Sequence, residues 1–302
     1  MLLQDVLKEF LFDCKMRKLS ERTLKGYKNN NLSLLRYLEN EFNIVELGDV
    51  HYKLIQQYIN YLITKHLKES YINGLIKCFR AFFRYCYDEE YIKINPMDKI
   101  KCQKQPITLI ETFLDSEVVN MVNYYDGKRF LDIRNRMIMI FLFDSGIRNS
   151  ELCQIKMSDI RNTHINIIGK GNKQRYVPIT PTMNKVLIKY MRVREGYIKD
   201  KFAYEKDYLF LSQKGKKLTI ETVERIVLDA GVHVGVRDSI RISPHTCRHY
   251  YAQTQLKNGC DIYTLSKLLG HSNINITKIY LQSMREDDYL EIAIRTSPLS
   301  NI

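Results

Sequence analysis

The sequence predicts a mainly α-helical protein with a small antiparallel β-sheet, arranged as an all-helical N-terminal domain and a mixed α/β second domain. Three observations support this fold class. Apolar residues recur at helical spacing through the first hundred residues, a proline-containing segment without helical period follows, and one later segment alternates as a β-hairpin does. The length of 302 residues is also what two domains of ordinary size require.

Residues 1–103 are predicted to form the helical N-terminal domain. Its first helix covers about residues 2–18, its second begins after the N-cap residue Ser20, its third covers Tyr52–His66 and its fourth begins after Ser70. A polar and basic stripe on the fourth helix lies opposite the aromatic stripe and consists of Asn73, Lys77, Arg80 and Arg84. This stripe is either an ordinary solvated face or a surface that contacts DNA.

Residues 104–112 are predicted to be a linker, because they contain Pro106 and no helical period. The second domain, residues 113–302, has predicted helices at about 115–125, 130–143, 149–157, 181–196, 219–230, 246–258, 261–269 and 274–282. Residues 162–180 contain two β-branched runs around a Gly-Lys-Gly-Asn turn, which predicts a hairpin, and Tyr208–Ser212 is a candidate short strand. The tail from Met284 carries an apolar patch that suits packing on its own domain or on a neighbouring subunit.

Charge and composition restrict the function classes. The chain has 47 Lys and Arg against 34 Asp and Glu, a net charge of +13, which suits a polyanionic partner without identifying one. No apolar run approaches the ~18 residues that span a bilayer, and the N-terminus lacks the basic start of a signal peptide, so we expect a cytoplasmic protein without a membrane partner. The seven scattered cysteines contain no C-x-x-C pair, which argues against a disulfide framework and a zinc finger.

Three short motifs contain residue types that could support catalysis. They are GIRNSEL at 146–152, with Arg148 and Glu151; HTCRH at 245–249, with His245 and Arg248 on one helical face; and LLGHSNINITKIY at 268–280, with His271 and Tyr280. Each motif alone is compatible with an ordinary structural role. A metal site in HTCRH is disfavoured, because a single helix carrying this spacing supplies no tetrahedral ligand set.

Together and in this order, the motifs resemble the signature of the tyrosine recombinase, or phage-type integrase, family, and the whole chain resembles its Xer-like two-domain members. The resemblance implies a SAM-like core-binding domain followed by the family's catalytic domain. It also implies the roles of six catalytic residues: Arg148 and Arg248 as phosphate clamps, Lys170 as the hairpin lysine, His245 and His271 as proton-handling or phosphate-bonding groups, and Tyr280 as the nucleophile. Lys173 is the alternative to Lys170 in the same turn and a candidate DNA contact.

The chemistry of these residue types agrees with the implied roles. Two guanidinium groups can stabilise the negative charge that develops on the non-bridging oxygens of a phosphodiester during cleavage, so no metal is required. A tyrosine with a pKa of about 10 needs a proton acceptor at neutral pH, for which His245 is the candidate. A hairpin lysine beside two arginines suits protonation of the leaving oxygen. Glu151 lies one helical turn from Arg148 and suits a role in orienting it.

The resemblance implies a site-specific recombinase that forms a 3′-phosphotyrosyl intermediate and a Holliday junction without a cofactor. Its partners would be double-stranded DNA with a specific recombination site and three further copies of the chain, assembled on synapsed DNA from monomers, with an accessory directionality factor as an additional partner. The biological subtype stays open between an Xer-like resolvase and the integrase or transposase of a mobile element. The alternatives are DNA relaxation of the type IB topoisomerase kind and a non-catalytic DNA-binding protein.

Overall fold

The computed structural model describes residues 1–106, 109–169, 173–200, 205–284 and 286–297. The chain divides into two compact units, Met1–Ile107 and Thr108–Ile302. The described residues are mainly helical and contain one two-stranded antiparallel sheet, which confirms the predicted fold class. No helix in the described ranges is long and apolar enough to cross a membrane.

Four α-helices form the first unit: α1 (Leu3–Met16), α2 (Glu21–Phe42), α3 (Tyr52–Thr64) and α4 (Glu69–Asp88). Ser20 begins α2 as predicted, because its side chain accepts a hydrogen bond from the Thr23 amide. The apolar stripes of the helices meet in one core, where Phe79, Phe82 and Phe83 of α4 are fully buried.

The polar stripe of α4 binds the segment that follows the helical bundle. Asn73 is only 8% exposed, and its side-chain amide exchanges hydrogen bonds of 2.9 and 2.7 Å with the backbone of Gln103. Arg80 donates to the Ile100 carbonyl at 2.6 Å. Two members of the predicted stripe therefore fix the chain at the end of this unit.

The second unit contains α5 (Asp115–Asn123), α6 (Phe130–Ser145), α7 (Asn149–Leu152), β1 (His164–Ile168), β2 (Gln174–Pro178), α8 (Pro181–Asp200), α9 (Ile220–His233), α10 (Pro244–Lys257), α11 (Ile262–Leu269), α12 (Asn275–Lys278) and α13 (Glu286–Arg295). The strands β1 and β2 form the predicted hairpin, with Ile165 opposite Val177. The helix α6 is apolar on most sides and lies in the centre of the core, packed against α8 and α10.

Three predicted elements differ from the structure. The helix predicted at 149–157 ends at Leu152, since the following backbone bonds to another segment, with the Ile155 carbonyl accepting from Leu209 at 2.8 Å. The prediction of a strand at Tyr208–Ser212 is wrong, because only single bridges hold this segment. The helix predicted at 274–282 is divided into α12 and a 3₁₀ turn at Leu281–Ser283.

The turn between α6 and α7 requires glycine at position 146. Gly146 ends α6 in the left-handed conformation, with φ of +57°, and a Cβ at this position would overlap the ring of Tyr251. The next residue, Ile147, is buried, and Arg148 is the N-cap residue of α7. The close approach of α6 to α10 at this turn therefore determines the position of Arg148 at the start of α7.

We expect Gly146→Ala to lower the free energy of unfolding by more than about 1 kcal/mol, from the left-handed backbone and the overlap with Tyr251. Thermal unfolding measures the change. Gly196→Ala in α8 is the matched control, because its Cβ would meet nothing within 4 Å. This control should be neutral or stabilising by up to about 1 kcal/mol. Equal stability of Gly146→Ala and the natural protein would contradict the prediction.

Candidate active site

The two arginines of the sequence motifs are both bound to the turn that ends α11. Arg248 of α10 is 3% exposed, and its guanidinium donates to the carbonyls of Gly146 at 2.7 Å and Leu269 at 2.8 Å. Arg148 donates to the Gly270 carbonyl at 3.3 Å. Two positive charges that are far apart in the sequence therefore lie beside the turn that ends α11.

Arg248 is a buried cation held by backbone carbonyls. Burial, together with the like charge of Arg148, lowers the pKa of Arg248 to about 10, so the group remains positive at neutral pH. The carbonyls offset part of its desolvation. Because the nearby charge of Arg148 has the same sign, an anion between the two groups would be stabilised by both.

Glu151 is the buried anion of the site. Arg175 of β2 donates to its two carboxylate oxygens at 3.0 and 2.7 Å, and Arg148 donates to it through the guanidinium at 2.8 Å and through the backbone amide at 3.1 Å. Burial raises the pKa of Glu151, but the hydrogen bonds and charge of Arg175, with those of Arg148, outweigh burial and bring the pKa below its ordinary value. The carboxylate is therefore ionised and holds Arg148.

Sequence reasoning missed Arg175. This residue occupies a buried position of β2, between the exposed residues Gln174 and Tyr176. The signal was an arginine at an inward position of the predicted hairpin, where its charge requires a partner. The period-2 alternation of a strand indicates such an inward position, but it does not show which acidic residue meets the arginine.

His271 binds Arg248 on the side that faces α12. Its Nε2 lies 2.9 Å from Nη2 of Arg248, and its Nδ1 lies 2.8 Å from Oγ1 of the buried Thr277. A guanidinium can only donate, so Nε2 accepts and Nδ1 carries the proton of the neutral ring. Burial and the charges of Arg248 and Arg148 lower the pKa of His271 to about 4.

Tyr280 lies in a small apolar cluster and is only 2% exposed. Its hydroxyl is 3.1 Å from Nδ1 of His249. Burial raises the pKa of the phenol, while the positive charges of Arg248 and Arg148 act in the opposite direction. The lowered pKa of His249, about 4, has burial as its main cause and keeps the ring neutral. A neutral ring can accept the phenolic proton at this atom.

His245 lies near this pair without meeting the tyrosine hydroxyl. Its exposed ring packs edge-on against His249, with centroids 4.2 Å apart. Desolvation of the ring, with the charges of Arg248 and Arg241, lowers the pKa of His245. The contact with Tyr280 expected from His245 is thus made by His249, the last residue of HTCRH, which sequence reasoning considered only as part of a disfavoured metal site. No metal-binding group of His, Cys, Asp or Glu occurs in the ranges that the structure describes.

The hairpin turn is described in part. Lys170 lies outside the described residues. Lys173 is exposed, and its carbonyl accepts a hydrogen bond of 2.8 Å from the Gly169 amide, which closes the described ends of the turn. Beside it opens a groove of about 780 Å³, lined by Arg148, Lys173, Lys267 and His271 among others. The groove contains basic side chains from three segments of the chain.

Comparison with known proteins identifies the family. Residues 112–287 match the phage integrase family, and residues 3–102 match the phage integrase SAM-like domain. The chain belongs to the phage integrase family. It is also 31% identical to the tyrosine recombinase XerC of Thermodesulfovibrio yellowstonii, over 98% of this chain and 97% of that protein. The protein is therefore a tyrosine recombinase, an enzyme of site-specific recombination that cleaves and rejoins DNA, and the topoisomerase and non-catalytic alternatives are not favoured.

Solved structures have the same fold as this recombinase. The XerH recombinase, in a post-cleavage complex with a palindromic difH substrate, has a TM-score of 0.73 and 21% identity, covering 94% of this chain and 82% of that one. A lambda integrase tetramer bound to a Holliday junction has a TM-score of 0.74 and 18% identity, covering 95% of this chain and 78% of that one. At these identities, the similarity concerns the fold alone.

We expect acid to destabilise the recombinase through His249 and His271. Both rings have a pKa of about 4 in the folded protein, whereas a histidine of the unfolded chain has a pKa of about 6.5. The unfolded chain binds more protons between these values, so stability should fall as the pH decreases from about 6.5 to about 4. Urea unfolding at a series of pH values measures the slope.

His271→Gln should reduce the slope of the free energy of unfolding against pH by the equivalent of about one bound proton, because one of the two rings is no longer present to titrate. His51→Gln, at an exposed position before α3 and outside the site, is the control for the loss of a histidine, and its slope is the reference for that of His271→Gln. A slope for His271→Gln equal to that of the natural protein would contradict the prediction.

Proposed function

We propose that this site cleaves one strand of double-stranded DNA at a specific recombination site through a 3′-phosphotyrosyl intermediate. The observation that carries the proposal is that Arg148 and Arg248 both donate to the turn that ends α11, with Tyr280 close enough for both charges to act on its phenol. The proposed catalytic residues are Arg148, Arg248, His245, His271, Tyr280 and one hairpin lysine, Lys170 or Lys173.

The arginines would bind the scissile phosphate from different positions. Arg248 is buried and held by carbonyls, whereas the side chain of Arg148 is 36% exposed and lines the basic groove. Forked, charge-assisted hydrogen bonds from both groups would stabilise the additional charge on the non-bridging oxygens in the transition state. His271 supports this role by holding Arg248. It cannot donate to the phosphate from Nε2 without changing its protonation or tautomer.

Tyr280 would attack the phosphorus after leaving its buried position. The phenol transfers its proton to a neutral histidine, for which His249 is in hydrogen-bonding distance and His245 lies next to it. The new bond joins the tyrosine oxygen to the 3′ phosphate, and the bond from phosphorus to the 5′ oxygen breaks. A hairpin lysine gives the 5′ oxygen its proton. Attack by the 5′ hydroxyl of a second duplex reverses the step and produces the Holliday junction.

Each protomer cleaves one strand, so exchange between two duplexes requires four protomers. The lambda integrase neighbour is a tetramer on a Holliday junction. We infer a homotetramer assembled on synapsed DNA from monomers in the cytoplasm, with an accessory directionality factor as a further partner.

The XerC relative favours an Xer-like resolvase over the integrase or transposase of a mobile element, and the DNA that flanks the gene distinguishes these subtypes.

The first unit would contact the DNA backbone through α4. Lys77 and Arg84 are exposed, although Arg84 also pairs with Asp88 at 2.8 Å. Arg80 is exposed as well, although it also donates to the Ile100 carbonyl. Asn73 is left out of this set because its buried amide binds Gln103. Contacts of this kind position the protein without reading sequence.

Tyr280→Phe should abolish the covalent adduct. A nicked duplex that carries the site next to its own gene traps the intermediate, because the short strand beyond the cleavage point diffuses away. An SDS-resistant adduct should form with the natural protein, also in EDTA, since the arginines supply the charge that a metal would provide. Gel shift should show that Tyr280→Phe still binds DNA.

Tyr289→Phe is the matched control for this experiment. Tyr289 is half exposed in α13, and its hydroxyl donates to the Leu281 carbonyl at 3.1 Å. This variant should form the adduct normally. A normal adduct with Tyr280→Phe and none with Tyr289→Phe would show that Tyr289 is the nucleophile. Strict dependence of cleavage on magnesium would refute the metal-free mechanism.

Replacement of the bridging 5′ oxygen by sulfur should identify the lysine. A thiolate leaves without a proton, so the substrate should rescue the variant that lacks the general acid. We expect rescue of Lys170→Ala and none of Lys173→Ala, on the resemblance of the GKG turn to the family pattern. Arg148→Ala should not be rescued, because the sulfur does not replace charge on the non-bridging oxygens. Rescue of Lys173→Ala alone would reverse the assignment.

A further inference from the structure

Arg175 makes four contacts that the proposed chemistry does not use. It is 8% exposed, and its Nε donates to the Leu268 carbonyl at 2.9 Å. Its two terminal nitrogens donate to the two carboxylate oxygens of Glu151. A Cβ added at Gly270 would lie 2.9 Å from its Cδ, so the turn before His271 is packed against this side chain.

The contacts of Arg175 lead directly to Arg148. Oε1 of Glu151 accepts from Nη1 of both arginines, so one oxygen atom connects the buried guanidinium of Arg175 with the partly exposed guanidinium of Arg148. The other titratable groups near the carboxylate are the positively charged Arg248 and the neutral ring of His271. Because Glu151 is the single anion among these cations in the described part of the site, its position and charge fix Arg148.

We propose that Arg175 is a positioning residue for DNA cleavage, which holds the ionised Glu151 by both oxygens so that Glu151 holds the Arg148 guanidinium towards the scissile phosphate. It also connects β2, the strand that follows the hairpin lysines, to the turn that binds both clamping arginines. The inference rests on the proposed role of Arg148 as a phosphate ligand. Arg175 itself touches no reacting atom.

Removal of Arg175 should change how cleavage depends on pH. Burial is the largest influence on the pKa of Glu151 and raises it, while Arg175 is the main group that lowers it. In Arg175→Met the carboxyl should therefore take up a proton at a higher pH than in the natural protein. Once protonated, it loses the charge that holds Arg148. Cleavage by the variant, relative to the natural protein, should be low in acid and recover as the pH rises.

The experiment measures single-turnover cleavage of the nicked duplex at saturating DNA, from about pH 5.5 to about pH 8.5, as the ratio of each variant to the natural protein. The ratio for Arg175→Met should fall by up to about tenfold per pH unit below the new apparent pKa. The double variant Arg175→Met/Glu151→Gln should give a ratio that is low but independent of pH, because glutamine does not titrate. A flat ratio for Arg175→Met, or a slope retained in the double variant, would overturn the proposal.

Arg175→Lys tests the proposal even where Arg175→Met does not fold. Its positive charge keeps Glu151 ionised, but one ammonium cannot hold both oxygens and the Leu268 carbonyl as the fork does. Cleavage should decrease by about tenfold or more with a flat pH ratio and little change in DNA affinity. Cleavage equal to that of the natural protein would overturn the proposal.

Two further variants separate the positioning role of Arg175 from a general loss of stability and from a failure of the proposed function. Arg194→Met removes a buried arginine that donates to backbone carbonyls elsewhere in the unit, so it reproduces the loss of stability and should give a flat ratio. A slope with Arg194→Met would show that destabilisation alone produces it. Arg148→Ala tests the underlying function, because normal cleavage by this variant would refute the role of Arg148. If Arg148→Ala does not cleave and the ratio for Arg175→Met is flat, the inference about Arg175 alone would be refuted.

Discussion

The second unit depends on the burial of positive charge around two turns. Arg248 and Arg175 are almost completely buried, and Arg148 is partly so, yet Glu151 is the one carboxylate bonded to these arginines in the described structure. Backbone carbonyls at Gly146, Leu268, Leu269 and Gly270 accept further hydrogen bonds from these arginines and so offset part of the cost of burying them. The fold therefore carries an unbalanced positive charge at a fixed place, which is what an anionic substrate requires.

The same charge adds to the effect of burial on the surrounding groups. His249 and His271 are neutral because burial disfavours the protonated ring, and the nearby positive charge disfavours it further. Neutral rings can accept hydrogen bonds. His271 accepts one from Arg248, and His249 can accept one from the phenol of Tyr280. One electrostatic feature would thus serve both the proposed phosphate binding and the proposed proton acceptance. The individual residues cannot be altered independently, since each pKa depends on its neighbours.

Much of the fold and part of the site could be predicted from the sequence. The helices of the first unit follow from apolar periodicity, and the hairpin follows from two β-branched runs around a glycine turn. The residues Arg148, Glu151, Arg248 and His271 meet because short motifs place them at helix ends and turns. Arg175 and His249 could not be assigned partners, because an inward position reveals burial and not the contact across the fold. The predicted strand at Tyr208–Ser212 was wrong for a similar reason, since strand pairing depends on which segment of the chain lies alongside.

The concealment of Tyr280 bears on how a recombinase tolerates a genome full of wrong sequences. A basic protein meets nonspecific DNA far more often than its own site, and every such encounter brings phosphates close to the two arginines. With the proposed nucleophile Tyr280 buried against His249, the enzyme would not cleave DNA in these encounters. Accuracy would then no longer have to come from affinity alone. Discrimination would be exercised a second time, when the nucleophile is released, and transient binding to the wrong place would leave the chromosome intact.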